Sequence, residues 1–201
     1  MSNNALLQSD RPADEDSVCG DHELQLLVRV AERNRAAFHD LYFLYYSRLV
    51  RFLMHFVRRY DLAEELINDT MREVWYEAPD FKRTSRVSVW IMGIAYRRAV
   101  TTLRRMNSVA SHDGSMVDLP ALSTDAHQST REPGKWLEVA LERLPLEQRL
   151  VFELTYGLGH SCDEIAEIMD CPAKDVTSRM LHARQNLSAR LAQLPEPRPP
   201  R

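Results

Sequence analysis

Residues 162–187 read CDEIAEIMDCPAKDVTSRMLHARQNL. Ile165, Ile168 and Met169 recur at helical spacing, Asp170-Cys171-Pro172 interrupts them, and Val176 and Met180 resume the period. A small residue at Ala166 lets two helices cross closely, with the branched Val176 opposite. This is the helix-turn-helix pattern, here at about 162–181, in which the second helix enters the major groove of DNA. Its outward residues are Lys174, Asp175, Thr177, Ser178, Arg179, His182 and Arg184. Arginine binds guanine bidentately, and serine or threonine meets bases or phosphates. Asp175 either accepts from a cytosine amine or stabilises the helix N-terminus.

Upstream, the helical period continues. Trp136, Val139, Ala140, Leu141 and Leu144 share a face that Pro145 ends, and Leu150, Val151 and Leu154 follow before Gly157 and Gly159 mark a turn. The last helix is expected to run to about Leu194, with a fraying tail over 195–201. Nearer the start, His22–Arg35 reads as a short amphipathic helix, and Phe38 to Phe56 keeps the three/four spacing for about five turns. Asp61 is a candidate N-cap for a helix through Glu77, and Ser88 for one running to about Met106. Between 107 and 134 the period vanishes into NSVASHDGSMVDLPALSTDAHQSTREPG. At that length the stretch reads as a linker, spanning on the order of 90 Å when extended. The expected fold is therefore all-α. Two small helical domains, 22–106 and 135–194, are joined by an acidic flexible linker over 107–134, and a disordered acidic tail occupies 1–21.

Charge is unevenly placed. Over its 201 residues the chain carries a formal −3, yet Phe81 to Arg105 holds Lys82, Arg83, Arg86, Arg97, Arg98, Arg104 and Arg105 with no acid. Such a run beside Phe81, Trp90 and Tyr96 suits nucleic acid, because guanidinium groups neutralise phosphates and aromatics stack on unpaired bases. The helix dipole alone accounts for Arg104 and Arg105, and Trp90 also fits a plain core position. Only Cys19, Cys162 and Cys171 are present, too few for a disulfide framework, so a reducing compartment is expected. No basic start and apolar run of a signal peptide is read at the N-terminus. The most apolar stretch, Leu41 to Val57, contains Arg48, Arg51 and His55, so no membrane insertion is expected. No paired carboxylates, phosphate loop or nucleophile triad recommends an enzyme, and no cofactor is called for.

Taken together, these segments resemble a small sigma factor of bacterial RNA polymerase, of the extracytoplasmic-function type. Three motifs over roughly Phe38 to Leu191 carry the resemblance: DLAEELINDTMREVW (Asp61–Trp75), FKRTSRVSVWIMGIAYRRAVTTLRR (Phe81–Arg105) and LERLPLEQRLVFELTYGLGHSCDEIAEIMDCPAKDVTSRMLHARQNL (Leu141–Leu187). The resemblance implies that Asp61, Leu62, Glu65, Leu66, Asp69, Thr70 and Glu73 contact the clamp of core RNA polymerase. It implies that Phe81, Lys82, Arg83, Thr84, Ser85, Arg86, Trp90, Arg97, Arg98, Thr101, Arg104 and Arg105 read and melt the minus-ten element, holding an extruded base of the single strand. Residues 174–184 would read the minus-thirty-five duplex, while their domain touches the polymerase flap. The linker, with Asp113, Asp118, Asp125 and Glu132, would thread a basic RNA path, and an anti-sigma factor would hold the protein inactive in the cytoplasm. Arg97 stands where many relatives have Asn, and Thr177 and His182 where many have basic residues. Two alternatives remain at this level: a stand-alone helix-turn-helix regulator binding an operator, and a zinc-stabilised module on His160, Cys162 and Cys171.

Overall fold

The computed structural model describes residues 13–112 and 140–191, with side chains over 20–106 and 140–189. Those residues form α1 (Ala13–Ala31), α2 (Arg35–Val57), α3 (Tyr60–Glu77), a short 3-10 turn (Ala78–Asp80) and α4 (Val87–His112). After helical residues 140–142 come α5 (Leu146–Phe152), a π-helical turn (Glu153–Gly157), α6 (Cys162–Met169) and α7 (Ala173–Leu191). No strand occurs among the described residues.

The first four helices assemble on the apolar stripes read from the sequence. Leu41, Tyr45, Leu49, Phe52 and Leu53 of α2 are wholly buried, against Ala63, Ile67 and Val74 of α3 and Ile91, Ile94 and Ala95 of α4. A buried carboxylate fixes α1 to this bundle. Glu23 accepts from the Tyr45 hydroxyl and from Arg48 Nη1, each at 2.7 Å.

Helix ends differ from expectation where local chemistry outweighs the apolar period. α1 begins at Ala13 rather than His22, so the expected disordered tail does not extend over 13–21. Extending a docked helix is cheaper than nucleating one, and no Pro or Gly stands between Ala13 and Cys19 to stop it. α1 ends at Ala31, because Arg33 takes φ 65° and the Asn34 side chain caps α2 by accepting from Ala37 N at 3.0 Å. Asp61 does not cap α3, which starts at Tyr60; its carboxylate pairs with Arg59. Ser88 lies inside α4, with its Oγ buried and lacking a hydrogen-bond partner. α4 continues to His112 rather than ending at Met106, since 107–112 contains neither Gly nor Pro; the expected linker therefore loses its first six residues to helix. The rest of the linker to Gly134, the acidic residues assigned to it, the tail over 195–201 and residues 1–12 lie outside the described residues.

The two halves pack on one another. From Val87 to Ala95 only Trp90 escapes full burial, because α1, α2 and α3 cover one side of α4 and α6 covers the other. Gly93 marks the crossing: a Cβ there would stand 4.0 Å from the Ile168 Cα of α6. A single apolar core consequently runs from Leu26 to Met180, and a small second cluster of Ala140, Leu144, Ala183 and Leu187 braces α7.

Replacing Glu23 by Ala leaves Tyr45 and Arg48 without their shared acceptor. Urea unfolding should show a loss of about 2–4 kcal/mol, the usual cost of breaking a buried charged pair.

Candidate nucleic-acid interface

The acid-free run occupies the turn before α4 and the outer face of its second half. Phe81 leans on Trp90, ring centroids 5.0 Å apart at 43°, and Trp90 itself packs half-buried on the core. Lys82, Arg83, Thr84 and Arg86 are exposed, and Arg83 takes φ 56° to turn the chain back into the helix. Arg97, Thr101, Arg104 and Arg105 share an exposed face of α4. The turn opens on a space of about 620 Å³ lined by Phe81, Arg83, Thr84, Ser85 and Arg86, by Gly20, Asp21 and Leu24 of α1, and by Asp163, Glu164 and Glu167 of α6.

Not every basic residue of this run belongs to that surface. Arg98 points at α3, donating from Nε to Glu73 Oε2 at 2.6 Å and lying 3.5 Å from Asp69. Arg86 reaches Glu164 across the two halves at 3.3 Å. Burial pulls the Glu164 carboxyl upward, but the His160 ring, the Ser161 N–H and the Arg86 charge outweigh it and hold the group at about 2. His160 Nδ1, 3.6 Å from Glu164, is buried without a hydrogen-bond partner.

On the helix-turn-helix, Ser161 and Glu164 cap α6 reciprocally in a capping box. Asp170 at φ 49° makes the tight turn, a left-handed position that Asp tolerates. Val176 and Met180 bury against Ile165 and Ile168, which leaves Lys174, Asp175, Thr177, Ser178 and His182 outward on α7. Asp175 stands in the first turn, where a carboxylate is favourable. Two expected readers are committed elsewhere. Arg179 is drawn back to Glu147 at 3.0 Å and to the Cys171 sulfur at 3.2 Å, and Arg184 donates to the Tyr156 hydroxyl.

The helix expected to dock polymerase is a mixed surface. Leu66 and Thr70 cannot offer side chains to a partner: both are buried, and the Thr70 hydroxyl donates to the Leu66 carbonyl at 2.7 Å. Asp69 and Glu73 face Arg98, Leu62 packs on the core, and Asp61 and Glu65 are exposed. Beside them runs an apolar groove of about 720 Å³ between α2 and α3, walled by Phe38, Tyr42, Phe43, Trp75 and Tyr76 and edged by Arg35 and Arg72. Phe43 is 63% exposed and Tyr76 64%.

Residues 41–108 match the family described as Sigma-70 region 2, and residues 134–187 match Sigma-70, region 4. The ECF RNA polymerase sigma-E factor of Haemophilus influenzae is 25% identical over 183 residues, covering 84% of this chain and 95% of that protein. The RNA polymerase sigma factor NccH of Alcaligenes xylosoxydans xylosoxydans is 29% identical over 177 residues, covering 83% and 92%. The chain belongs to the sigma-70 family, in its extracytoplasmic-function branch. As a sigma factor it binds core RNA polymerase, directs it to promoter DNA and starts transcription. Its fold resembles that of CnrH solved in complex with the cytosolic domain of CnrY, at TM-score 0.63 and 22% identity over 86% of this chain and 99% of that one. The sigma factor RpoE solved with the anti-sigma factor NepR from Bartonella quintana gives the same TM-score at 24% identity, over 77% and 96%.

Within the sigma factor, the alternative zinc reading has no geometric basis. Among the described residues no three His, Cys, Asp or Glu side chains are grouped to hold a metal ion, and Cys171 instead accepts from Arg179. No helix among the described residues is long and apolar enough to cross a membrane. Sequence reasoning missed two features. Leu181 is 54% exposed on α7, where an apolar side chain suits a thymine methyl; its position one turn after Thr177 and Ser178 was the available signal. The aromatic groove was also missed, because its rings sat within helical stripes that also read as core.

Two measurements check these assignments. Arg98→Ala should lower stability by about 1 kcal/mol in thermal melts, while Arg104→Ala should leave it unchanged, separating the strut from the surface. Glu164 is depressed from its ordinary 4.5 to about 2, so its contribution is complete above the ordinary value and is lost as pH falls through that window. Melts of the parent and of Glu164→Gln should therefore differ near neutrality and converge between about pH 4.5 and 2.

Proposed function

We propose that the surfaces divide the work of initiation as follows. The α2–α3 groove, with Glu65 and Asp61 at its flank, docks on the polymerase clamp; its rings supply buried apolar area and its carboxylates meet basic residues of the partner. The turn Phe81–Arg86 takes an extruded minus-ten base, with Lys82 and Arg83 on neighbouring phosphates, Arg86 joining them only by leaving Glu164, and Thr84 and Ser85 positioned to hydrogen-bond the base. Unstacking a base costs a few kcal/mol, so tight capture of the single strand shifts the duplex toward melting. Arg97, Thr101, Arg104 and Arg105 continue that grip along α4, while Arg98 positions α4 against α3. Lys174, Thr177, Ser178, Leu181 and His182 of α7 face the minus-thirty-five major groove, and their domain touches the flap. Arg179 joins them only by leaving Glu147 and Cys171. The linker follows the RNA path, an anti-sigma factor restrains the protein in the cytoplasm, and the bond-making chemistry is the polymerase's.

The observation that carries this reading is the seven-cation, acid-free segment Phe81–Arg105 presented beside an exposed turn, in one chain with a helix-turn-helix. Run-off transcription with purified core polymerase on promoters selected from a genomic library tests it: specific transcripts should start only when the protein is added. Duplex binding without any dependence on core polymerase would instead make it a stand-alone regulator. Replacing Phe43 and Tyr76 together by Ser should weaken core binding at least about tenfold, the loss expected for two aromatic anchors, with the fold retained in circular dichroism.

A further inference from the structure

One wall of the space at the Phe81–Arg86 turn takes no part in the function proposed for it. That wall is Gly20, Asp21 and Leu24 of α1, a helix in the same half as the turn, packed on the 3-10 turn before it and on α4. The α1 backbone is pinned at this level, because Glu23 is buried on Tyr45 and Arg48 and Leu24 packs on the core. A side chain carried by a helix held in this way is placed more precisely than one on a loop. Asp21 is exposed, and its carboxylate makes no hydrogen bond or ion pair among the described residues, although Arg83 lines the same space. The acids of α6 are no substitute for it. Their half is the one proposed for the minus-thirty-five duplex, roughly 85 Å from the minus-ten element at 3.4 Å per base pair.

Without Asp21 the side chains of the turn grip a base but do not choose one. The Thr84 and Ser85 hydroxyls both donate and accept, so they satisfy the edge of any base. Arg83 only donates, and the Phe81 ring offers a stacking face that every base can use. Among the side chains that line the space from α1 and the turn, Asp21 alone accepts without donating. A carboxylate accepts from the exocyclic amine of cytosine, adenine or guanine. Thymine has no amine, and its N3–H stands between two carbonyl oxygens that a carboxylate repels. We propose that Asp21 is a specificity-determining residue of the minus-ten site, accepting from the exocyclic amine of the extruded base and excluding thymine. The proposal rests on the assignment of the turn to that base: the turn supplies grip, and α1 supplies discrimination.

The test is run-off transcription by holoenzyme, made from core polymerase and the full chain, on a promoter that it uses. The minus-ten element is randomised one position at a time, and transcripts are counted for each base of the non-template strand, the strand left free while the template is copied. At one position the parent should use thymine at least about tenfold less than the best amine-bearing base. Asp21→Asn, whose amide both donates and accepts, should bring thymine there to within about threefold and leave the other positions unchanged. Thr84→Ala with Ser85→Ala should alter preference at that same position, which marks it as the one held by the turn. Asp21 is exposed and unpaired, so Asp21→Asn should melt with the parent. If the parent accepts thymine freely where the turn variant acts, or if Asp21→Asn moves no preference there, the role of Asp21 is overturned and the turn keeps its own. An equal gain on all four bases overturns it too, because that is the loss of a charge repelling phosphates. If neither variant moves any position and Arg83→Glu leaves transcription intact, the assignment of the turn itself falls, and Asp21 with it.

Discussion

The structure depends on the burial of α4 from every side over Val87–Ala95. A helix that is apolar around its whole circumference must be enclosed, and this one has α1, α2 and α3 on one flank and α6 on the other. Its second half then emerges from the core carrying Arg97, Arg104 and Arg105. One element thus serves as both the hub of the bundle and the base of the proposed nucleic-acid surface. Rigid support is what the proposed base capture by the turn needs, because the energy that unstacks DNA is lost if the protein yields first.

Around that hub, charge performs two kinds of task. Glu23 with Tyr45 and Arg48, and Arg98 with Asp69 and Glu73, tie helices together from partly or fully buried positions. Lys82, Arg83 and Arg104 face solvent and retain their potential for phosphates. The distinction separates residues of one type within a single motif: Arg97 and Arg98 are adjacent in sequence, yet one faces the exposed side of α4 and the other reaches α3. The same division applies on α7, where Lys174 faces outward while Arg179 is held by Glu147 and Cys171.

Fold class and family were legible because they rest on periodicity and order. Amphipathic spacing marked the helices, the Asp170-Cys171-Pro172 break marked the turn of the helix-turn-helix, and the acid-free run marked the exposed basic turn and helix face proposed for nucleic acid. Helix ends were less legible. The Asn34 cap, the Arg59–Asp61 pair and the absence of breakers after Met106 each shift a boundary by local chemistry that the apolar period does not record. In the site itself, Leu66 and Thr70 lie on the stripe that turns inward, and a motif by itself does not say which stripe that is.

Sequence alone determined that this chain is helical, that its positive charge is concentrated before and along α4, and that α6 and α7 form a helix-turn-helix, since these follow from residue type and spacing along one chain. Tertiary structure decided which cations are struts, where the aromatic groove opens between α2 and α3, and that the acidic start of α6 faces the basic turn. Those are relations between residues dozens of positions apart. They are set by how buried faces pack against each other, and no local pattern encodes that packing.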